Sequence, residues 1–195
     1  MDISVSDYGV GAAVGNDLVA TSPTVRGAAG EALPDPDALA LLLAEHAVRP
    51  AATADGRAPS AGDVRDVQLL RREVRGILET ETGEQAVAGG IVLLKRAGQS
   101  PVLRRDGDGW EWYVPTAPDA PLAAELAALV AVGLLGTVRA LGHDRFRPCA
   151  APDCRGVFAD TSRAGRRRYC MPDLCGNRLN VANHRARLRA GGVPR

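Results

Sequence analysis

The sequence predicts an α+β fold, mostly helical over residues 1–142 with one small β-hairpin. A small treble-clef- or ribbon-like finger ending in a helix follows over 143–195. Three observations carry this expectation. Apolar residues recur at helical spacing in several segments between 36 and 141. Two short β-prone runs flank an Asp-Gly-Asp-Gly turn at 106–109. The chain's 4 cysteines, Cys149, Cys154, Cys170 and Cys175, form two C-x4-C pairs separated by fifteen residues.

Size and composition set the bounds. At 195 residues, 46% of them hydrophobic, the chain has room for one medium domain and a small module. Aromatic residues are scarce (2 Trp, 3 Tyr, 2 Phe), so Leu, Val and Ala must fill the core. Lys95 is the one lysine among 24 basic residues. The abundance of Arg, Ala, Gly and Pro fits a GC-rich bacterial coding bias, so Arg abundance alone carries no argument. The charge distribution does. The net charge is +1, but 143–195 holds 12 Arg against 4 Asp, and the remainder 12 Lys and Arg against 19 Asp and Glu. A basic tail of this kind meets an anion, most commonly nucleic acid. The alternative is mutual neutralisation of the two halves. The first residues, MDISVSDYGV, lack the basic and apolar regions of a signal peptide. The longest uncharged apolar run, Leu126–Val138, falls short of the roughly 20 residues that span a bilayer. The expectation is a cytoplasmic protein without a membrane segment, where paired cysteines bind metal more often than they form disulfides.

Taken in order, residues 1–33 show weak periodicity. A strand near Asn16–Thr21 is expected, and Gly9, Gly11 and Gly15 read as loop. Val14 stands where a G-x-G-x-x-G motif would need its third glycine. Asp35-Pro36-Asp37 caps a helix running to about Val48, with Leu39, Leu42 and Leu43 on one face. A second helix begins near Ser60 or Asp63 and places Val67, Leu70, Val74, Ile77 and Leu78 inward. Arg65, Arg71, Arg72, Arg75 and Glu79 form its expected solvated face. A third helix spans Glu84–Arg96, with Gly98 as its stop. The hairpin pairs 101–105 with 110–114 and sets Trp110 and Trp112 on one face. That face reads as a small hydrophobic core, or alternatively as a ligand-stacking platform. A fourth helix, Pro121–Leu141, is apolar nearly all round and ends at Gly142.

About 50 residues bury too little surface to fold unaided, and a tetrathiolate metal site supplies what is missing. Four cysteines without an open ligand position read as a closed structural zinc site. An iron–sulfur cluster, a thiol switch and two disulfides are the alternatives. Gly156 and Gly176 let the knuckles turn so that N–H groups point at sulfur, and Phe158 and Tyr169 form a mini-core.

The run Cys149-x4-Cys154-x3-Phe158-x-Asp160-x-Ser162-Arg163, then Arg167-Arg168-Tyr169-Cys170-x4-Cys175-Gly176-Asn177-Arg178, resembles the bacterial CGNR zinc finger over roughly 145–190. Tyr169 replaces the Trp that family members usually carry. The resemblance implies an upstream ABATE-like domain and places the chain with predicted stress-induced transcription regulators.

Arg163, Arg166, Arg167 and Arg168 lie between the knuckles. Arg178, Arg185 and Arg189 make a stripe along a helix expected from Cys175 to Ala190, beside Asn177, Asn180, Asn183 and His184. Arg and Asn read guanine and adenine edges, and loop arginines grip phosphates. The expected function is zinc-dependent, DNA-binding transcriptional regulation, with the first 142 residues sensing a small-molecule or protein effector or forming a homodimer. An adaptor for an acidic protein and an RNA-binding module are the alternatives, as is an arginine cluster that only screens the thiolates. Asp160 reads as an acceptor for Arg or backbone N–H groups. His46 is expected at the surface and His143 at the junction. No sequence motif of an enzyme appears, so no catalysis is expected.

Overall fold

A computed structural model describes residues 1–175. Its elements are β1 (Asp2–Ser4), α1 (Tyr8–Ala20), α2 (Pro23–Arg26), α3 (Pro36–Glu45), α4 (Ala61–Leu78), α5 (Gly83–Leu94), β2 (Val102–Asp106), β3 (Gly109–Pro115), α6 (Leu122–Leu141), β4 (Phe146–Pro148) and β5 (Val157–Ala159). Helix α6 is the hub and packs against α1, α4 and α5. Leu122, Leu126, Val130 and Leu134 on α6 are sealed from solvent, as are Val14 and Leu18 on α1 and Leu70 and Val74 on α4. Each such side chain contributes roughly 1.5–3 kcal/mol by leaving water. Among the described residues, α6 is the one helix long and apolar enough to cross a membrane, and most of it is buried within the protein.

Local signals place the helix starts. Asp35 accepts the N–H of Ala38 at 2.9 Å at the start of α3. Ser60 and Asp63 form a reciprocal capping box on α4. Ala47, with φ of 53°, ends α3 in the left-handed region. The N–H of Val48 then returns to the carbonyl of Leu43 at 2.9 Å.

The first 33 residues differ from expectation. Residues 8–20 form α1, not a loop and a strand. Glycine weakens the helical signal, but here it permits a close helix crossing. A Cβ on Gly11 would strike the Leu129 carbonyl oxygen, and one on Gly133 would strike the backbone at Gly11 and Ala12. The two backbones touch, so α1 is specified by its fit to α6 and not by an apolar stripe.

The sheet is antiparallel in the order β1-β3-β2. Ile3 pairs with Val114 and Leu103 with Trp112, so these residues share a face with Trp110. Ile3 and Val114 are buried, whereas Trp110 is 64% and Trp112 52% exposed. The expected hydrophobic core around the tryptophans is therefore absent. The alternation is right, but the hairpin runs past the edge of the body that covers its base.

Arg71 is also not on a solvated face. Its side chain is 7% exposed and forms a fork to Glu31 at 2.6 and 2.5 Å, with Thr21 accepting a third bond at 2.9 Å. His46 is mostly buried, its Nε2 lying 2.9 Å from the Asp17 carboxylate. Glu125, fully buried on α6, accepts from the backbone of Ala52 at 2.9 Å and the hydroxyl of Thr116 at 2.7 Å. It also pairs with the amino group of Met1 at 3.1 Å. Burial alone would raise its pKa, but these donors hold the carboxyl below its ordinary value.

Candidate metal centre

The hairpin β4–β5 pairs Phe146 with Ala159 and Pro148 with Val157, and the first knuckle closes its open end. There the N–H of Cys149 donates to the carbonyl of Gly156 at 2.7 Å. The N–H of Ala150 reaches the carbonyl of Arg168 at 2.8 Å, which brings the second knuckle alongside. Cys175 lies in a helical turn, its N–H bonded to the carbonyl of Met171 at 2.8 Å.

All four sulfurs converge. Cys154 Sγ lies 3.6 Å from Cys170 Sγ and 3.7 Å from Cys175 Sγ, and Cys170 and Cys175 are also 3.7 Å apart. With Cys149 included, the four lie within 4.8 Å of one another. A tetrahedral ion with bonds of about 2.3 Å to sulfur sets neighbouring sulfurs about 3.8 Å apart, so the donor set fits one such ion. The separations far exceed the ~2.05 Å of a disulfide, and all four cysteines are free. Backbone donors already face the sulfurs: Gly156 N–H to Cys154 and Cys170 N–H to Cys149, each at 3.4 Å. A Cβ on Gly156 would collide with the sulfur of Cys170, so the position needs glycine for space.

The thiols are electrostatically opposed. Burial, then the neighbouring Cys154 and Cys149 sulfurs, push the Cys170 thiol far up. Burial likewise raises Cys175. At Cys149 burial is outweighed by N–H donors from Ala151 and Cys170, which lower it. Thiolates packed this closely need a cation to ionise together.

Asp160 organises the loop between the knuckles. Buried itself, it accepts from the N–H and hydroxyl of Ser162 at 3.0 and 2.5 Å, from the N–H of Arg167 at 3.1 Å and from Arg147 at 3.3 Å. Burial would raise its carboxyl, but these donors lower it. Arg145 binds the carbonyls of Asp160 and Ser162, and Arg147 that of Gly165. Arg167 donates to the carbonyls of Tyr169 and Cys170 at 2.9 and 2.5 Å and sits 4.8 Å over the Phe158 ring. Its guanidinium is thus committed to the protein. Arg163, Arg166 and Arg168 are exposed, Arg168 lying 5.8 Å over the Tyr169 ring. Arg155 inside the first knuckle is also exposed, although the sequence reading passed over it.

Phe158 belongs to the main core and not to a mini-core of its own, because β5 packs on α1 and α4. Asn16 bonds both backbone groups of Ala159. Sequence reasoning missed this residue, since nothing local marks it. His143 stands apart from the sulfurs, 3.2 Å from the Thr80 hydroxyl and edge-on to Phe146. Gly176, Asn177, Arg178, Asn180, Asn183, His184, Arg185 and Arg189, and the helix expected there, lie outside the described residues.

Comparison with known families accounts for both parts of the chain. The CGNR zinc finger matches residues 145–188. The ABATE family, described as a "putative stress-induced transcription regulator", matches residues 12–138. No curated protein matches the chain. The upstream match alone spans more than half of the 195 residues and the cysteine-rich match covers all four cysteines, so the protein belongs to the ABATE family and carries a CGNR zinc finger.

Proposed function

We propose that this protein is a zinc-dependent, DNA-binding transcription regulator of the cytoplasm. One structural Zn2+ is held by Cys149, Cys154, Cys170 and Cys175. The zinc shapes the finger and does no chemistry, because four thiolates leave no open coordination position. Duplex DNA meets Arg163, Arg166 and Arg168 from the loop, and Asn177, Arg178, Arg185 and Arg189 from the segment beyond Cys175. Arg167, although adjacent, acts by holding the second knuckle to Phe158. Residues 1–142 serve as the sensing or dimerising part, in keeping with a response to stress.

The observation that carries this reading is the contrast among the finger's arginines. Arg145, Arg147 and Arg167 are spent on carbonyls and Asp160, while their neighbours Arg155, Arg163, Arg166 and Arg168 are exposed. A cluster needed only to screen the thiolates would not have to present so many guanidinium groups to solvent. A scaffold of fixed arginines displaying exposed ones suits phosphate contact.

Binding of zinc-loaded protein, freed of nucleic acid, to genomic duplex fragments at two salt concentrations tests it. Enrichment of a defined site that survives moderate salt is expected. Arg178→Ala or Arg185→Ala should weaken binding while zinc is retained. Binding without enrichment that disappears with salt reflects counterion release alone. No duplex binding at all removes this reading and leaves RNA or an acidic protein as the finger's partner.

A further inference from the structure

We propose that a cavity in the N-terminal part binds a small organic anion through its carboxylate or phosphate head. The cavity has a volume of about 400 Å³ and lies between the end of α1, the α2 turn and α4. This volume is at the small end of ligand pockets, which run from about 300 to 1,000 Å³. Arg71, Arg72 and Arg75 line it against one carboxylate, Glu31.

The three guanidinium groups differ in how they are used. Arg71 is locked by Glu31 and Thr21 and contributes a fixed wall. Arg75 gives Nη2 to Glu79 at 2.6 Å, but its Nη1 is buried and has no acceptor among the described residues. A buried guanidinium N–H without an acceptor is rare in folded proteins, and an oxyanion in the cavity would supply one. Arg72 makes no ion pair or hydrogen bond among the described residues, and its neighbourhood carries surplus positive charge. The Ser22 oxygen accepts the N–H of Thr24 at 3.2 Å and keeps its own proton to donate. Two arginines with unused N–H groups and a hydroxyl thus line one pocket, where a planar guanidinium suits carboxylate and phosphate oxygens alike.

The site's position gives it a route to the finger. Thr21, which accepts from Arg71, follows the last turn of α1, and Asn16 on that helix holds β5. The proposal nevertheless stands on the cavity alone and does not depend on the finger's partner.

Calorimetric titration of the metal-loaded full chain with inorganic phosphate and, separately, acetate tests it. Saturable one-to-one binding is expected for at least one anion, and which one binds identifies the head group. Arg72→Ala and Arg75→Ala should each weaken it by about tenfold or more. Arg72→Ala removes no internal contact, so misfolding would not account for its loss. Arg65→Ala on the same helix should leave binding unchanged, as should the double variant Arg163→Ala/Arg166→Ala in the finger. Absence of saturable binding to both anions overturns the proposal. So does binding that survives both cavity substitutions, or binding that disappears in the finger double variant instead.

Discussion

Asn16 and Ala159 meet as a closed pair. The side-chain amide of Asn16 donates to the Ala159 carbonyl at 2.9 Å and its oxygen accepts the Ala159 N–H at 2.7 Å. One buried side chain therefore completes strand β5 as a neighbouring strand would, and ties the finger hairpin to α1. Asn16→Ala leaves two buried backbone groups without partners, at a cost of about 1–3 kcal/mol each. We expect a lower urea midpoint and much faster hydrogen exchange at the Ala159 amide. Exchange at Ala159 unchanged from the parent would show that the clamp does not hold β5.

The crossing of α1 and α6 makes a second prediction. Adding a methyl group usually stabilises a helix, since alanine exceeds glycine by roughly 1 kcal/mol in propensity. At Gly11 and Gly133 the methyl meets backbone, which cannot rotate away. Gly11→Ala and Gly133→Ala should each lower stability by about 3 kcal/mol, the upper end of overpacking costs. Gly76 faces open space in the last turn of α4, so Gly76→Ala should stabilise. Thermal melts of the three variants check both signs together.

These cases show where sequence reading succeeds. The hairpin at 102–115, the start of α4 at Ser60 and the start of α3 are fixed by residues a few positions apart, and they appear where the pattern places them. The cysteine spacing is equally local, and the four sulfurs converge. What was illegible depends on distant chain. Helix α1 hides because its packing face is glycine, the residue that weakens helical signals. Arg71 looks like a surface residue because its partner, Glu31, lies 40 positions away. Trp110 and Trp112 occupy the expected face, but whether the body reaches them is decided by tertiary packing alone.

The Glu31–Arg71 pair gives the fold a pH dependence of known sign. Burial would raise the Glu31 pKa, but the Arg71 hydrogen bonds and charge and the N–H of Leu33 hold it below 4.5. A carboxyl with a depressed folded pKa contributes fully above its unfolded value. That contribution is lost as pH falls through the folded value. Stability should therefore fall below about pH 4.5. Glu31→Gln should cost about 3 kcal/mol at neutral pH, because it leaves Arg71 charged and buried. Its acid limb should be flatter than the parent's in urea titrations between pH 3 and 7. A parallel acid limb would place the sensitivity elsewhere, with Asp160 and Glu125 as the next carboxylates to test.

Metal removal tests how far the finger depends on its thiolates. Cys170 would be the most demanding ligand: its thiol is buried against the other sulfurs and its ionisation is strongly opposed. Binding a divalent cation reverses that penalty, and structural zinc contributes on the order of 10 kcal/mol in comparable small modules. Cys170→Ser should abolish stoichiometric zinc and disorder the two knuckles, Cys149–Cys154 and Cys170–Cys175. The α1–α6 core should persist, because its contacts lie among α1, α4, α5 and α6. Gly156→Ala offers the finer probe, since it keeps every ligand and adds only a methyl group against Cys170 Sγ. It should weaken zinc affinity in chelator competition and lower the melting temperature of the zinc-loaded form, with little change once metal is removed. Equal destabilisation with and without metal would show that Gly156 serves the backbone of the knuckle and not the space around the sulfur.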